Sequence, residues 1–291
     1  MLKIFRVFYL FLNAAIILAL LAIHFVFKEY NYQSSLLYYT FPIPVIILAV
    51  LLLSIFLNRK FRKFNLIIAS ILLIFWLSRS FKISFSETIN ETDLEVVFWN
   101  ASHYRTFNEA FKVNKGIPDI MVMVEGCRND IEELEKEYPN YHFYLSDEEI
   151  AIFSKTAISK IEEKKEIFST AVIAFKVNEI NFYAVDVTAS MNVPRAWGLD
   201  FVDSHITKKD HAVILGDFNV PYESDYLENI KTDFNHAFNE KGNGFRETWF
   251  WNIPLLSLDH IWVSKDLEIL KTEKIGTFKS DHSMIKTYVR K

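Results

Sequence analysis

Read from its amino terminus, the chain is apolar in long unbroken runs before it becomes apolar in short ones. Phe5 to Phe27, Leu36 to Leu57 and Phe64 to Leu77 are almost free of charge. About 20 apolar residues cross a bilayer core as a helix, so the first two runs qualify outright. The third reaches that length when extended from Phe61 to Arg79, with Lys63 and Arg79 snorkelling to the interface. Three transmembrane helices are therefore expected, over about 5–27, 36–57 and 61–79. Pro42 and Pro44 fall near the outer end of the second, where a broken first turn costs little. His24 lies near the end of the first and reads as interfacial. A cleaved signal peptide is the competing reading of Met1 to Phe27, but the run is too long, no small-x-small site closes it, and further spans follow.

Charge orients these segments. Lys3 and Arg6 precede the first, Lys28 and Glu29 cancel in the first loop, and Arg59, Lys60, Arg62 and Lys63 crowd the second loop. Positive loops stay inside, so the amino terminus is expected in the cytoplasm and everything beyond about Ser80 outside it, on a cell membrane. Cys127 is the only cysteine, so no intrachain disulfide tests that compartment.

After a polar linker over 83–92 the pattern changes to apolar stretches of strand length, each ending in polar residues. Leu94 to Trp99 delivers Asn100, and Ile117 to Val124 delivers Glu125. Ile180 to Val187 carries Asp186 near its end, and Val213 to Gly216 delivers Asp217 and Asn219. Ser257 to Ser264 opens at Asp259, and the last strand, within Ser280 to Val289, follows Asp281 and His282. Tyr141 to Tyr144, Ile150 to Ser154 and Ala171 to Val177 read as further strands. His103 to Lys115, Asn129 to Tyr138 and Leu199 to Lys208 show helical spacing. Taken alone, GDFN is a strand followed by an Asx turn, and Glu125 a solvated strand end. A carboxylate leaving an apolar strand is nonetheless costly unless a cation meets it. Asp217 and Asn219, two residues apart beside a glycine, suit the handling of a phosphate or its attacking water.

GDFN followed by LDHIWVS and SDHS, after the strands that end in Asn100 and Glu125, resembles the endonuclease/exonuclease/phosphatase superfamily over about Asp93 to Lys291. The three apolar segments and GFRETW (Gly244 to Trp249) are similar to a membrane-anchored subset that includes glycopeptide-resistance-associated proteins, although Phe250 stands where many members have proline. The resemblance implies an α+β fold, a four-layer αββα sandwich of two mixed sheets covered by helices, preceded by an all-α transmembrane region. Domain boundaries follow as 1–82, a linker at 83–92, and a catalytic domain over 93–291. It also implies a divalent cation, Mg²⁺ or Mn²⁺, on Glu125, with Asn100 beside it and Asp281 as ligand or water-mediated partner. Asp217 would orient or deprotonate the attacking water, Asn219 would hold that water or a phosphate oxygen, and Asp259 would fix the tautomer of His282. His260, pointing away from Asp259, is expected to pack. The chain departs from the family at Asp186, where many members carry a histidine. Asp186 is open to three readings: second-metal ligand, proton donor, or cap of the next helix.

Residues 93–291 hold 23 basic and 33 acidic residues, a net charge of −10. Duplex-binding proteins generally present a basic face, so this balance counts against a general nuclease. A phosphoester or phosphoanhydride on a membrane lipid is the expected substrate, and no obligate protein partner is implied. The alternatives are an extracytoplasmic nuclease and a non-catalytic domain that binds phosphates or a membrane partner. Arg195 and Arg246 are weaker candidates for a second phosphate contact.

Overall fold

A long apolar segment has few side chains to satisfy its backbone, and the first part of this chain satisfies it within helices. The computed structural model describes residues 2–102, 105–126 and 131–291, in two units, Met1–Phe81 and Lys82–Lys291. In the first, α1 (Leu2–Ala22) runs into a wider turn at Ile23–Phe27, followed by α2 (Tyr32–Thr40), α3 (Ile43–Ser54) and α4 (Arg59–Ser80). Asn31 and Asn58 cap α2 and α4 by accepting from the backbone N–H of Ser34 and Phe61. Ile17, Ile46, Val50 and Leu72 pack between the helices, while Phe5, Phe11, Ile71 and Ile74 face outward. Buried polar contacts cross the bundle at Asn65, whose Nδ2 donates to Asn13 Oδ1 at 2.9 Å and to the Val50 carbonyl at 3.4 Å. Such pairs hold helices together where apolar burial cannot.

Two helices, Ile4–Phe27 and Arg59–Ser80, are long and apolar enough to cross a membrane. The expected second span is not one helix. It breaks at Phe41 and Pro42 into α2 and α3, which are bent by 68°, and it makes a third crossing only if the pair counts as one span. Pro42 lacks an N–H and biases Phe41 out of the helical region, so the break is built into the sequence.

The second unit is built from two six-stranded mixed sheets. Its elements are β1 (Leu94–Asn100), α5 (Phe107–Asn114), β2 (Ile120–Val124), α6 (Ile131–Glu137), β3 (His142–Leu145), β4 (Ala151–Ser154), β5 (Ile158–Lys165), β6 (Ala171–Val177), β7 (Ile180–Asp186), α7 (Arg195–His205), β8 (Ala212–Asp217), α8 (Glu228–Asp233), β9 (Phe234–His236), α9 (Ala237–Lys241), β10 (Asp259–Ser264), β11 (Glu268–Ile275) and β12 (Met284–Arg290). One sheet has the order β11-β12-β1-β2-β4-β3 and the other β9-β10-β8-β7-β6-β5. β1–β2 and β7–β8 are parallel, and every other pair is antiparallel.

Alternation along the strands makes the layers. Val96 and Phe98 of β1 turn inward against Ile173, Phe175, Val213 and Ile261 of the other sheet. Val97 and Trp99 turn outward and bury Phe107 and Phe111 of α5 and Leu134 of α6. Thr106 and Glu109 form a capping box that starts α5. The expected helices over 103–115 and 129–138 are observed as α5 and α6, and His103, Tyr104, Asn129 and Asp130 lie outside the described residues. The helix expected at Leu199 begins at Arg195, directly after Pro194, and ends at His205. The apolar pattern gives no sign of β5, an edge strand whose residues are mostly exposed and charged, as edges exposed to solvent tend to be.

Candidate active site

Three neighbouring strands set the site by their register. In the parallel pair β7–β8, Asp186 lies opposite Asp217; in the antiparallel pair β8–β10, Asp217 lies opposite Asp259. Residues opposite one another in a sheet share a face, so three carboxylates stand in one row. Gly216 permits the spacing: a Cβ there would lie 2.1 Å from the Val185 carbonyl oxygen.

The other sheet delivers Asn100 and His282. Asn100 Nδ2 donates to Asp217 Oδ2 at 2.9 Å, linking the end of β1 to the end of β8. His282 Nδ1 lies 2.8 Å from Asp259 Oδ2 and 3.9 Å from Asp217 Oδ2. Asn100, Asp217, Asp259 and His282 are all buried. Ser280 fixes their backbones: its hydroxyl donates to the Asn100 carbonyl at 2.8 Å and accepts from the His282 N–H at 3.0 Å. Thr248 does the same for β10, with Oγ1 accepting from the N–H groups of Leu258 and Asp259, both at 3.2 Å. Neither Ser280 nor Thr248 stands out in the sequence as more than a flanking residue of SDHS and GFRETW.

Backbone strain gathers at the same strand ends. Ser102, Glu125 and Asn219 have φ values of 44°, 54° and 52°, in the left-handed region. Asparagine tolerates that conformation; glutamate at such a position costs of order 1–3 kcal/mol unless its surroundings hold it. Asn219 is held twice, its N–H donating to Asp217 Oδ1 at 2.8 Å and its Nδ2 to the Val187 carbonyl at 2.6 Å. Asp281 is half-buried beside His282, and its Oδ2 accepts the Trp249 indole N–H at 3.0 Å.

The electrostatics follow from gathering carboxylates, two of them fully buried, beside one imidazole. Burial lifts the Asp186 carboxyl well above the carboxylate range, and Asp217, Glu125 and Asp259 push it further, against the pull of His282. Glu125, at the end of β2 in the other sheet, adds to the field on Asp186, while the ligand atoms that lie together are those of Asp217, Asp259 and His282. Burial, then Asp259, raises Asp217 to about 7, with His282, Asn100 and the Asn219 N–H opposing. For His282, burial favours the neutral ring, but Asp259, Asp217 and Asp281 outweigh it and hold the imidazolium up to about 10.

Negative charge in this cluster exceeds what one imidazolium balances, and Asp259 Oδ1 is buried without a hydrogen-bond partner among the described residues. Both observations fit a divalent cation. Asp217, Asp259 and His282 each offer a ligand atom within 4.8 Å of the others. All three are residues to which the sequence assigns catalysis; its metal set is Glu125, Asp281 and Asn100.

His260 turns away from the row, as expected, into a directed relay. Asn239 N–H donates to His236 Nδ1 at 3.2 Å, which leaves the His236 proton on Nε2 to donate to His260 Nδ1 at 3.0 Å. His260 Nε2 then donates to the Val220 carbonyl at 3.0 Å, one residue beyond GDFN. Both rings are neutral, burial holding His260 at about 4 and His236 well below the ordinary value. Arg246 is not at the site: it is buried over the Tyr222 ring, bonded to Glu223 and Asn239. Arg195 is at its edge, donating to the carbonyls of Asn219 at 3.3 Å and Ser190 at 2.8 Å.

Two facing mixed sheets flanked by helices, with an Asn, Asp and His cluster at one end, define a phosphoesterase-type sandwich. The chain belongs to the endonuclease/exonuclease/phosphatase family, whose profile matches residues 97–282. Members of this family are phosphoesterases and nucleases, and they generally use divalent metals. Among solved structures, an endonuclease/exonuclease/phosphatase family protein from Bacteroides thetaiotaomicron is 16% identical with a TM-score of 0.54, covering 69% of this chain and 98% of its own. TDP2 of D. rerio, complexed with a single-strand DNA product, is 14% identical with a TM-score of 0.53, covering 69% and 100%. A mannosyl-6-phosphatase of Bacteroides thetaiotaomicron is 15% identical with a TM-score of 0.51, covering 67% and 99%. Among curated protein sequences, none matches the chain.

Proposed function

We propose that this protein is a membrane-anchored hydrolase that uses Mg²⁺ or Mn²⁺ to cleave a phosphoester or phosphoanhydride on a membrane lipid, outside the cytoplasm. The observation that carries this reading is the buried hydrogen-bonded cluster of Asn100, Asp217, Asp259 and His282, which no packing requirement explains. The anchor is argued from the two or three apolar helices, and the outward orientation from the basic residues at Lys3, Arg6 and Arg59 to Lys63.

A bound divalent cation would neutralise charge developing on the phosphoryl oxygens. Glu125, Asn100 and Asp281 are the residues to hold it, with the unpartnered Asp259 oxygen and Asp217 beside them. Asp217, fixed by Asn100 and by the Asn219 N–H, orients the attacking water, and its raised pKa suits it to take a proton near neutrality. His282, kept protonated by Asp259, presents positive charge to the phosphoryl group. Asp186 faces the leaving side as a second ligand or proton donor.

Neighbours of the same fold include one crystallised with single-strand DNA and one mannosyl-6-phosphatase, so the fold does not choose a substrate. The acidic balance of residues 93–291 and the short linker after α4 favour a lipid-borne phosphate over nucleic acid. The test is phosphate release by the full-length protein in detergent from a polyprenyl pyrophosphate, with Mg²⁺ or with chelator, beside Asp217→Ala and single-stranded and duplex DNA. Metal-dependent release that the variant loses, with DNA intact, is the expected result. DNA cleavage alone would replace this reading with a nuclease, and inactivity on every substrate with a binding protein.

A further inference from the structure

Large apolar side chains exposed on the second unit are not spread evenly. Ile167, Phe168, Met191 and Trp197 stand on the segments that flank Asp186, where the register of Ala171 with Asp186 brings the 166–170 turn to the end of β7. Phe168 and Trp197 pack as a tilted pair with ring centres 5.5 Å apart, Thr188 Oγ1 donates to the Phe168 carbonyl, and Arg195 ties this side to Asn219. Phe250, Trp251, Ile253 and Phe278 stand on the opposite side, next to His282. The Trp251 N–H donates to the Asp281 carbonyl at 2.8 Å and Asn252 Nδ2 to the Thr277 carbonyl at 3.3 Å, so these four share one surface. Elsewhere on this unit, among the described residues, the exposed large apolar side chains are Ile83, Phe85 and Ile89 before β1 and Ile161 on the edge strand β5.

Both sides of the mouth of the site are thus apolar and rich in aromatic residues, and their charge differs from that of the domain around them. The segments 166–170, 187–197, 249–254 and 276–281 contain two acidic residues, each already engaged. Glu166 accepts from the Phe168 N–H at 3.2 Å and Asp281 from the Trp249 indole. They also contain Arg195 and Lys279, so the net charge of −10 over 93–291 is carried elsewhere. A surface that is apolar, carries Trp and Phe on loops, and bears no net charge is complementary to a bilayer interface. It is a poor match for a polar macromolecule.

We propose that this rim seats in the headgroup layer of a lipid bilayer, so that the site takes its phosphate from a lipid lying in that surface. The proposal rests on the reading of the chain as membrane-anchored and gives it a mode of substrate capture: the headgroup phosphate enters from the membrane plane between two apolar lips.

The test places a nitroxide at one position on each lip and at one control position in the full-length chain. Phe278→Cys and Met191→Cys, in a Cys127→Ser background, report the lips; Glu179→Cys, in the turn at the far end of β6 and β7, reports bulk solvent. Phe278 and Met191 are 82% and 74% exposed, so the substitutions remove little packing. In phosphatidylcholine/phosphatidylglycerol vesicles, spin relaxation by oxygen should exceed that by a water-soluble nickel complex at 278 and 191, with the order reversed at 179. Nickel-dominated relaxation at all three positions overturns the proposal. Protection from both agents with dipolar broadening between labels also overturns it, because a second copy of the chain then covers the rim. Quenching of the unlabelled chain by lipids brominated near the headgroup gives an independent reading, and should fall in Trp251→Phe and Trp197→Phe. No substrate is present in these measurements. An immersed rim without phosphate release leaves the seating of the rim standing and removes the lipid substrate with its capture; release with aqueous labels overturns the seating and keeps the substrate.

Discussion

The imidazole of His282 and the carboxylate of Asp259 form a buried pair at 2.8 Å, contributed by strands of opposite sheets. The charge on that imidazole is therefore set by how the sheets pack. Its pKa is raised to about 10, so the native state binds a proton that the unfolded state releases above about 6.5. The linkage sign is that of a raised group: this stabilisation is complete below about 6.5 and is lost as pH climbs through about 10. In metal-free protein, NMR should show the His282 ring doubly protonated throughout the neutral range. Asp259→Asn should move its titration down toward the ordinary value and lower kcat roughly 10²–10⁴-fold.

Asp217 works against stability. Placed between Asp186 and Asp259 in one row, it is a carboxylate that folding makes harder to ionise, so stability of the metal-free protein should fall as pH rises from about 4 toward 7. Asp217→Asn removes one like charge and keeps an acceptor for the Asn219 N–H, at the loss of the acceptor for Asn100 Nδ2. It should raise metal-free stability by about 1–4 kcal/mol while abolishing turnover. Thermal unfolding beside a phosphate-release assay checks both halves, and a destabilised variant would show that the row is not under charge repulsion.

His260 acts at one remove. Replacing it with Ala strands both the Val220 carbonyl and the His236 Nε2–H in the core, where each unmade bond costs about 1–3 kcal/mol. Urea unfolding should show a loss of about 2–5 kcal/mol including the cavity. His260→Gln, which can reach Val220 through its amide, should recover part of it.

Gly216→Ala tests the spacing of the row. The added methyl meets the Val185 carbonyl at 2.1 Å, so β7 and β8 must part where Asp186 faces Asp217. A loss of about 1–3 kcal/mol or more is expected, with activity reduced even in the folded fraction.

Much of this was legible in the residues because strand alternation and turn chemistry are local. The strands that end in Asn100, Glu125 and Asp217 each carry a short apolar run closed by a polar residue. The parts that were not legible are non-local. Nothing in INFYAVDV, VILGDF and LDHIWV says that Asp186, Asp217 and Asp259 share a register, since that depends on which strands become neighbours. The roles of Thr248 and Ser280 are backbone contacts made across loops, and a hydroxyl that accepts two N–H groups looks like any other threonine in sequence. β5 escaped notice because an exposed edge needs charge rather than alternation. The second apolar segment was readable as apolar, but the 68° bend between its halves leaves its count as a crossing to the fold.

Ser280 reaches back to Asn100 across 180 positions, and β12 must lie against β1 before it can. Assembly order on the ribosome follows. The apolar helices are made first and Asn100, Glu125 and Asp217 emerge next, yet the Ser280 contact to Asn100 waits until the strand from Met284 has been synthesised and inserted between β11 and β1. A chain that lacks this last strand therefore lacks the joined cluster of Asn100, Asp217, Asp259 and His282, which is completed in a single late step.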